Sequence, residues 1–154
     1  PARRRRSARR RLAHAHPDAP FEHVSWAASE LEPGQHTLAL FGIRPTGSEE
    51  IHDQDVTANY FEGDGGVRFE IIRPLGPNSH LRKFLQTRGS GLHHICFQVE
   101  NLDDACAQIT AAGGELVGHT FSDSRGRHAF VHPKSTGGIL IGMIELHPHL
   151  KNAK

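Results

Sequence analysis

The residues best able to do chemistry in this chain are histidines and a glutamate on segments that read as strands. Thirteen histidines stand among 154 residues, against one Met, one Trp and one Tyr. Two of them, His23 and His94, hold matching places in two similar segments, His23-Val24-Ser25-Trp26 and His94-Ile95-Cys96-Phe97, 71 residues apart. A second pair of segments, Glu70-Ile71-Ile72-Arg73 and Gly142-Met143-Ile144-Glu145, repeats at an offset of 72. Imidazole and carboxylate groups converging from neighbouring strands form a donor set for a divalent ion. The repeat supplies His23, Glu70 and His94 as ligands, with Gly142, which has no side chain to offer, at the fourth symmetric position. Three protein ligands leave coordination positions open to water or substrate. Glu70 is surrounded in sequence by Phe69, Ile71 and Ile72, where an unpaired carboxylate is costly. His93 adjoins His94 with the opposite strand parity and is expected to face away from the cleft.

Converging these groups requires a particular set of elements. A strand at 21–26 precedes a helix at 29–41, whose start is marked by acidic residues and Pro33. Strands follow at 42–51, 56–62 and 67–73, the last two joined by the Gly63-Asp64-Gly65-Gly66 turn. A Pro- and Gly-containing linker at 74–78 and a short helix at 79–86 lead to a second copy. That copy has a strand at 92–99 and a helix at 101–112, with Asn101 as N-cap, Asp103 and Asp104 in the first turn, and Gly113-Gly114 as the stop. Strands at 115–119, 127–132 and 138–146 complete it. Each half therefore reads strand, helix, strand, strand, strand. One such unit would leave an apolar sheet face uncovered, so two are expected to pair in one sheet around a shared cleft. The expected fold class is α+β: two paired βαβββ modules forming one curved mixed sheet around a metal-binding cleft. Module one spans about 21–74 and module two about 91–147, within a domain at 21–150.

Composition narrows the function classes. The longest apolar runs, such as 137–144, fall far short of the roughly 20 residues that cross a bilayer, so no membrane association is expected. The net charge of +1 is uneven: residues 1–11 hold seven arginines, which leaves eleven basic against seventeen acidic residues in the rest. An acidic body gives little support to nucleic-acid binding. Residues 1–20, rich in Arg, Ala, His and Pro and without hydrophobic periodicity, are expected to form a disordered extension. No apolar run follows the arginines, so a secretory signal is not expected. Cys96 and Cys106 suit free thiols in a reducing, cytoplasmic setting.

The stretch VRFEIIRPLGPNSHLRKFLQTRGSGLHHICFQVENLDDA at 67–105, with HAFVHPKSTGGILI at 128–141, resembles methylmalonyl-CoA epimerase of the vicinal oxygen chelate, glyoxalase-like superfamily. The first half resembles it more loosely, through FEHVSWA and LFGIRP. The resemblance implies paired βαβββ modules and a divalent ion such as Co, Mn, Ni or Zn; independently of it, a two-His-one-carboxylate set makes Fe a further candidate. It implies a small-molecule substrate, an acyl thioester such as methylmalonyl-CoA, epimerised through a metal-stabilised enolate, and it allows a homodimer. Carried over by position, the metal ligands are His23, Glu70 and His94. The family's fourth ligand, a glutamate that is also a base, falls on Gly142, and the opposing base glutamate falls on Ala58.

A two-base epimerisation needs one group on each face of the acidic carbon, and neither Gly142 nor Ala58 can serve. Substitutes come from His52, Asp53, Tyr60, His128 and His132, with His132, His128 and Tyr60 the leading catalytic candidates. Glu145, three residues beyond Gly142, has the opposite parity and is expected to point out of the cleft. Lys134, Ser135 and Thr136 are candidates to meet a substrate carboxylate or phosphate. Besides the epimerase-like isomerase, two alternatives stand. One is a divergent enzyme, a lyase or Fe(II) dioxygenase type, built on the two-His-one-Glu set. The other is a non-catalytic protein that binds acyl-CoA or another small molecule.

Overall fold

The computed structural model describes residues 18–151, so the extension read at 1–20 lies, up to residue 17, outside the described residues. The first half contains β1 (Phe21–Ala27), α1 (Glu32–Leu40), β2 (Arg44–Ile51), β3 (Val56–Glu62) and β4 (Arg68–Pro74). After α2 (His80–Arg88) the second half repeats this order with β5 (Gly91–Gln98), α3 (Leu102–Ala111), β6 (Leu116–Ser122) and β7 (Gly126–Val131). A short α4 (Pro133–Thr136), β8 (Leu140–Leu146) and α5 (Pro148–Lys151) complete the described chain. The eight strands form one mixed sheet in the order β2-β3-β4-β1-β5-β8-β7-β6. In each half the first strand runs parallel to the last, β1 with β4 and β5 with β8, while β1 and β5 meet antiparallel at the centre. The curved mixed sheet of an α+β fold is therefore present.

Strand alternation decides which side chains reach which face. The outer face of the first half packs Phe61, Ile71 and Trp26 against Leu38 of α1. The outer face of the second half packs Ala129, Val131 and Met143 against Leu102 and Ala105 of α3. Burying Leu102 completely stabilises by about 1.5–3 kcal/mol. The inner face carries its own cluster, with Ile51, Val56 and Ala58 from one end of the sheet, Phe121 from the other, and Leu81 of α2.

Helix ends follow local chemistry. In α3 the Asn101 side chain accepts the Asp104 N–H at 2.9 Å, the cap read from the sequence. α1 begins at Glu32, three residues later than the sequence suggests. Pro33 sits in the first turn, where its missing N–H costs nothing, and no side chain caps residue 31.

One expectation is overturned. His93 does not face away from the cleft but helps line it. Pairing of β1 with β5 runs from Ser25↔His94 to Trp26↔Leu92, so His93 is an extra residue on β5, a bulge that turns its side chain inward. The same irregularity occurs in the other half, between Phe21↔Phe97 and His23↔Cys96, where Glu22 is the extra residue. Each bulge directly precedes the histidine selected by the repeat.

Candidate metal centre

The central strands bring together the three residues selected by the repeat. His23 lies on β1, His94 on β5 and Glu70 on β4, all buried, with one ligand atom from each inside a 4.8 Å sphere of mutual distances. The Nε2 atoms of His23 and His94 are 3.2 Å apart. Glu70 Oε2 stands 3.7 Å from His23 Nε2 and 3.8 Å from His94 Nε2. Among the described residues this buried carboxylate oxygen has no hydrogen-bond partner. A buried carboxylate oxygen is not normally left without a partner in a protein interior, whereas a cation between the three groups would satisfy it.

Electrostatics favour the same use. Burial pushes the His23 imidazole below its ordinary range, against the opposing pull of Glu70. Burial, reinforced by the neighbouring His23 and His93, holds His94 well below it. Neutral imidazoles keep the lone pair that a metal needs. His94 also has an orienting partner, His93 Nδ1, at 3.0 Å from its Nδ1. His93 is pushed down to about 4, burial being the main cause, so it is the neutral ring of a ligand-supporting pair. His80 and Phe84 of α2 pack against His93.

Gly142 is closed, not vacant. β8 pairs Gly142 with Cys96 and with Phe130, as β4 pairs Glu70 with Ser25 and Tyr60. A Cβ at 142 would lie 3.1 Å from Cys96 Sγ and 3.2 Å from Phe130 Cε1. Phe130 in turn rests edge-on against His94, with ring centroids 4.9 Å apart. A side chain at 142 would therefore press on these two neighbours, and the donor set among the described residues is two histidines and one glutamate.

The other sequence candidates separate clearly. His128 lines the same cleft, with its Nε2 2.8 Å from Asp123 Oδ2 and its ring stacked on Phe121 at 4.9 Å. This contact is close, but its angle falls short of an aligned hydrogen bond. Tyr60 donates its hydroxyl to Glu49 at 2.5 Å, and burial together with that bond raises its phenol well above the ordinary range. His132 caps α4, its Nδ1 accepting the Lys134 N–H at 3.1 Å. His52 and Asp53 are exposed in the β2–β3 connection. Glu145 points away from the cleft as expected, accepting the Leu102 N–H at 2.9 Å. Lys134, Ser135 and Thr136 form α4 outside the cleft lining. Ser135 Oγ accepts the Glu115 N–H and Thr136 Oγ1 accepts the Ile139 N–H. The sequence reading placed His93 outside the cleft and did not single out Asp123. A strict two-residue period hides a bulge, and Asp123-Ser124-Arg125-Gly126 signals only a turn.

The glyoxalase/bleomycin resistance protein/dioxygenase superfamily profile matches residues 22–131. The mitochondrial methylmalonyl-CoA epimerase of Homo sapiens is 32% identical over 79% of this chain and 70% of its own length. The ethylmalonyl-CoA/methylmalonyl-CoA epimerase of Cereibacter sphaeroides is 33% identical over 79% of this chain and 93% of its own. The crystal structure of methylmalonyl-CoA epimerase from Mycobacterium tuberculosis superposes with a TM-score of 0.77 at 28% identity, covering 86% of this chain and 91% of that one. With its paired modules, its central His-His-Glu cluster and these relatives, the chain belongs to the glyoxalase/bleomycin resistance protein/dioxygenase superfamily, among proteins similar to methylmalonyl-CoA epimerase.

Proposed function

We propose that this protein is a metal-dependent, epimerase-like isomerase that labilises a proton beside the carbonyl of an acyl thioester of the methylmalonyl-CoA type. The observation that carries the reading is the buried His23–Glu70–His94 cluster with its unpartnered carboxylate oxygen, set in a cleft of the sheet. A divalent ion held by these three residues supplies Lewis-acid polarisation of a carbonyl. Among the described residues, His23 and His94 offer neutral nitrogens and Glu70 the compensating charge, while Phe121 and Phe130 keep the cleft wall apolar around them. A weakly hydrated wall strengthens every charge interaction inside it. Lys134, on the exposed α4, is assigned to the distal, anionic part of such a substrate, with Ser135 and Thr136 shaping the turn that carries it.

The test pairs metal analysis with isotope exchange. After incubation with Co(II) and desalting, the wild-type protein is expected to retain one ion per chain and Glu70→Ala to lose it. The loaded wild type is expected to exchange the 2-hydrogen of methylmalonyl-CoA in deuterium oxide. Absence of stoichiometric metal in the wild type overturns the reading. A second reading is favoured by one observation, the closed position at Gly142: two histidines and one carboxylate form the set that leaves Fe(II) open to substrate and oxygen. Iron-dependent oxygen consumption without isotope exchange selects it.

A further inference from the structure

The two halves of the sheet are nearly equivalent in register, and the equivalence shows where reactive groups have been redistributed. On β3, Ala58 pairs with Ile72 of β4; on β7, His128 pairs with Ile144 of β8. His128 is therefore the counterpart of Ala58, just as Gly142 is the counterpart of Glu70. The first half places a carboxylate on its last strand and a methyl group on β3. The second half places no side chain on its last strand and an imidazole on β7. Each kind of position is filled once, from opposite halves, and both groups line one cleft.

His128 is also built into place. It is buried, with Phe121 stacked on its face at an interplanar angle of 9°. Asp123 holds the Nε2 edge. The Asp123 carboxylate is itself fixed, because Oδ1 accepts the backbone N–H groups of Arg125 at 2.8 Å and Gly126 at 3.0 Å while Oδ2 faces His128. A carboxylate on Nε2 selects the tautomer with hydrogen there and leaves the Nδ1 lone pair free to act. Imperfect alignment of such a contact is common before substrate is bound.

The geometry points to His128 as the proton-transfer residue of this cleft, with Asp123 as its positioning residue. This assignment rests on the proposed function. In the step, the bond between the acidic carbon and its hydrogen breaks and a bond from that hydrogen to His128 Nδ1 forms. The electron pair left on carbon is taken up by the adjoining carbonyl, and the imidazolium charge is balanced by Asp123. Return of a proton from His128 to the same face, after exchange with water, gives hydrogen exchange with no net change in charge; delivery of a proton from water to the opposite face, with the His128 proton passing to the hydroxide left behind, inverts the carbon.

The experiment follows exchange of the 2-hydrogen of methylmalonyl-CoA in deuterium oxide with Co(II)-loaded wild type, His128→Gln and Asp123→Asn. Metal content and circular dichroism are measured in parallel. His128→Gln keeps an amide that can face Asp123, and is expected to retain metal and fold while its maximal exchange rate falls by about 100-fold or more, the usual contribution of a positioned base. Asp123→Asn is expected to lower the maximal rate by at least about 10-fold with KM unchanged. It should also move the ring-nitrogen NMR signature of His128 toward the other tautomer, a shift that a merely structural role would not produce. Exchange by the wild type that persists in folded, metal-loaded His128→Gln overturns this inference and leaves the functional reading intact. A metal-loaded wild type that exchanges nothing overturns both. If His128→Gln fails to fold, the Asp123→Asn rate and tautomer decide alone, and an unchanged pair of values overturns the inference.

Discussion

At the scale of single residues, the feature that most distinguishes this cleft is Gly142. Its place on β8 corresponds to that of Glu70 on β4, and the neighbours decide what it can hold. Ser25 and Tyr60 flank Glu70, whereas Cys96 and Phe130 flank Gly142. A methyl group there would press on both flanking side chains, at 3.1 Å and 3.2 Å. Relief of unfolded-chain entropy on replacing glycine is worth about 0.4–1 kcal/mol, and overpacking a dense core costs about 1–3 kcal/mol, so the second effect wins. Gly142→Ala is accordingly expected to destabilise by about 1 kcal/mol in urea titration. The cost should shrink in a Cys96→Ala background, where the nearest contact is gone, and equal costs in the two backgrounds would show that Cys96 does not set the limit. His23, Glu70 and His94 were legible in the sequence because the internal repeat selects them without any knowledge of packing. Asp123 was not, because its link to His128 depends on where the β6–β7 turn folds back.

At the scale of elements, the paired bulges at Glu22 and His93 are the departure from strand regularity with chemical consequences. Parity read from the sequence assigns every second residue to one face, and one inserted residue breaks that assignment. His93 thereby reaches His94, and Glu22 is turned into a buried network with Arg68, Arg125 and Gln98. Arg68 lies 2.8 Å from the Glu22 carboxylate, whose side chain is 1% exposed. Glu22→Ala is expected to cost about 3 kcal/mol, the low end for breaking a buried ion pair, because both guanidiniums keep some contact with water. Burial by itself would raise the Glu22 carboxyl, but Arg125, Gln98 and Arg68 together hold it below its ordinary value of 4.5. The carboxylate therefore contributes stability that is present above pH 4.5 and lost as the pH falls through the lowered folded-state value. Unfolding midpoints measured in this acid range should fall more steeply for the wild type than for Glu22→Gln. The strand segments and helix α3 were readable from hydrophobic period and capping, since both depend on neighbours in the chain. The bulges depend on how β1 and β5 pair across 71 residues, and no local pattern announces them.

At the scale of the whole molecule, the sheet works as a cleft only because its two ends are brought together. β2 and β6 are the outermost strands, far apart in strand order. Glu49 of β2 nevertheless accepts the Ser124 hydroxyl at 2.7 Å and its backbone N–H at 3.2 Å, from the turn between β6 and β7, and also the Tyr60 hydroxyl. One carboxylate thus ties the first end of the sheet to the last, next to Asp123, and Phe121 adds apolar contact with Ile51, Val56 and Ala58 across the same closure. Glu49→Ala would leave the half-buried Tyr60 hydroxyl and the turn without their shared acceptor. Hydrogen bonds to a charged group are worth about 1.5–3 kcal/mol each at most, and the exposed Ser124 bonds less, so a loss of about 2 kcal/mol is expected. The location of the effect is the sharper test. Amide hydrogen exchange should accelerate in β2 and in the 122–126 turn, the two segments that the carboxylate joins, while the central β1–β5 pair remains protected. Because the same turn carries Asp123, loosening it should also lower the isotope-exchange rate without removing metal from His23, Glu70 and His94. Uniformly faster amide exchange across all eight strands would instead mean that Glu49 supports global stability and that apolar packing alone holds the cleft closed.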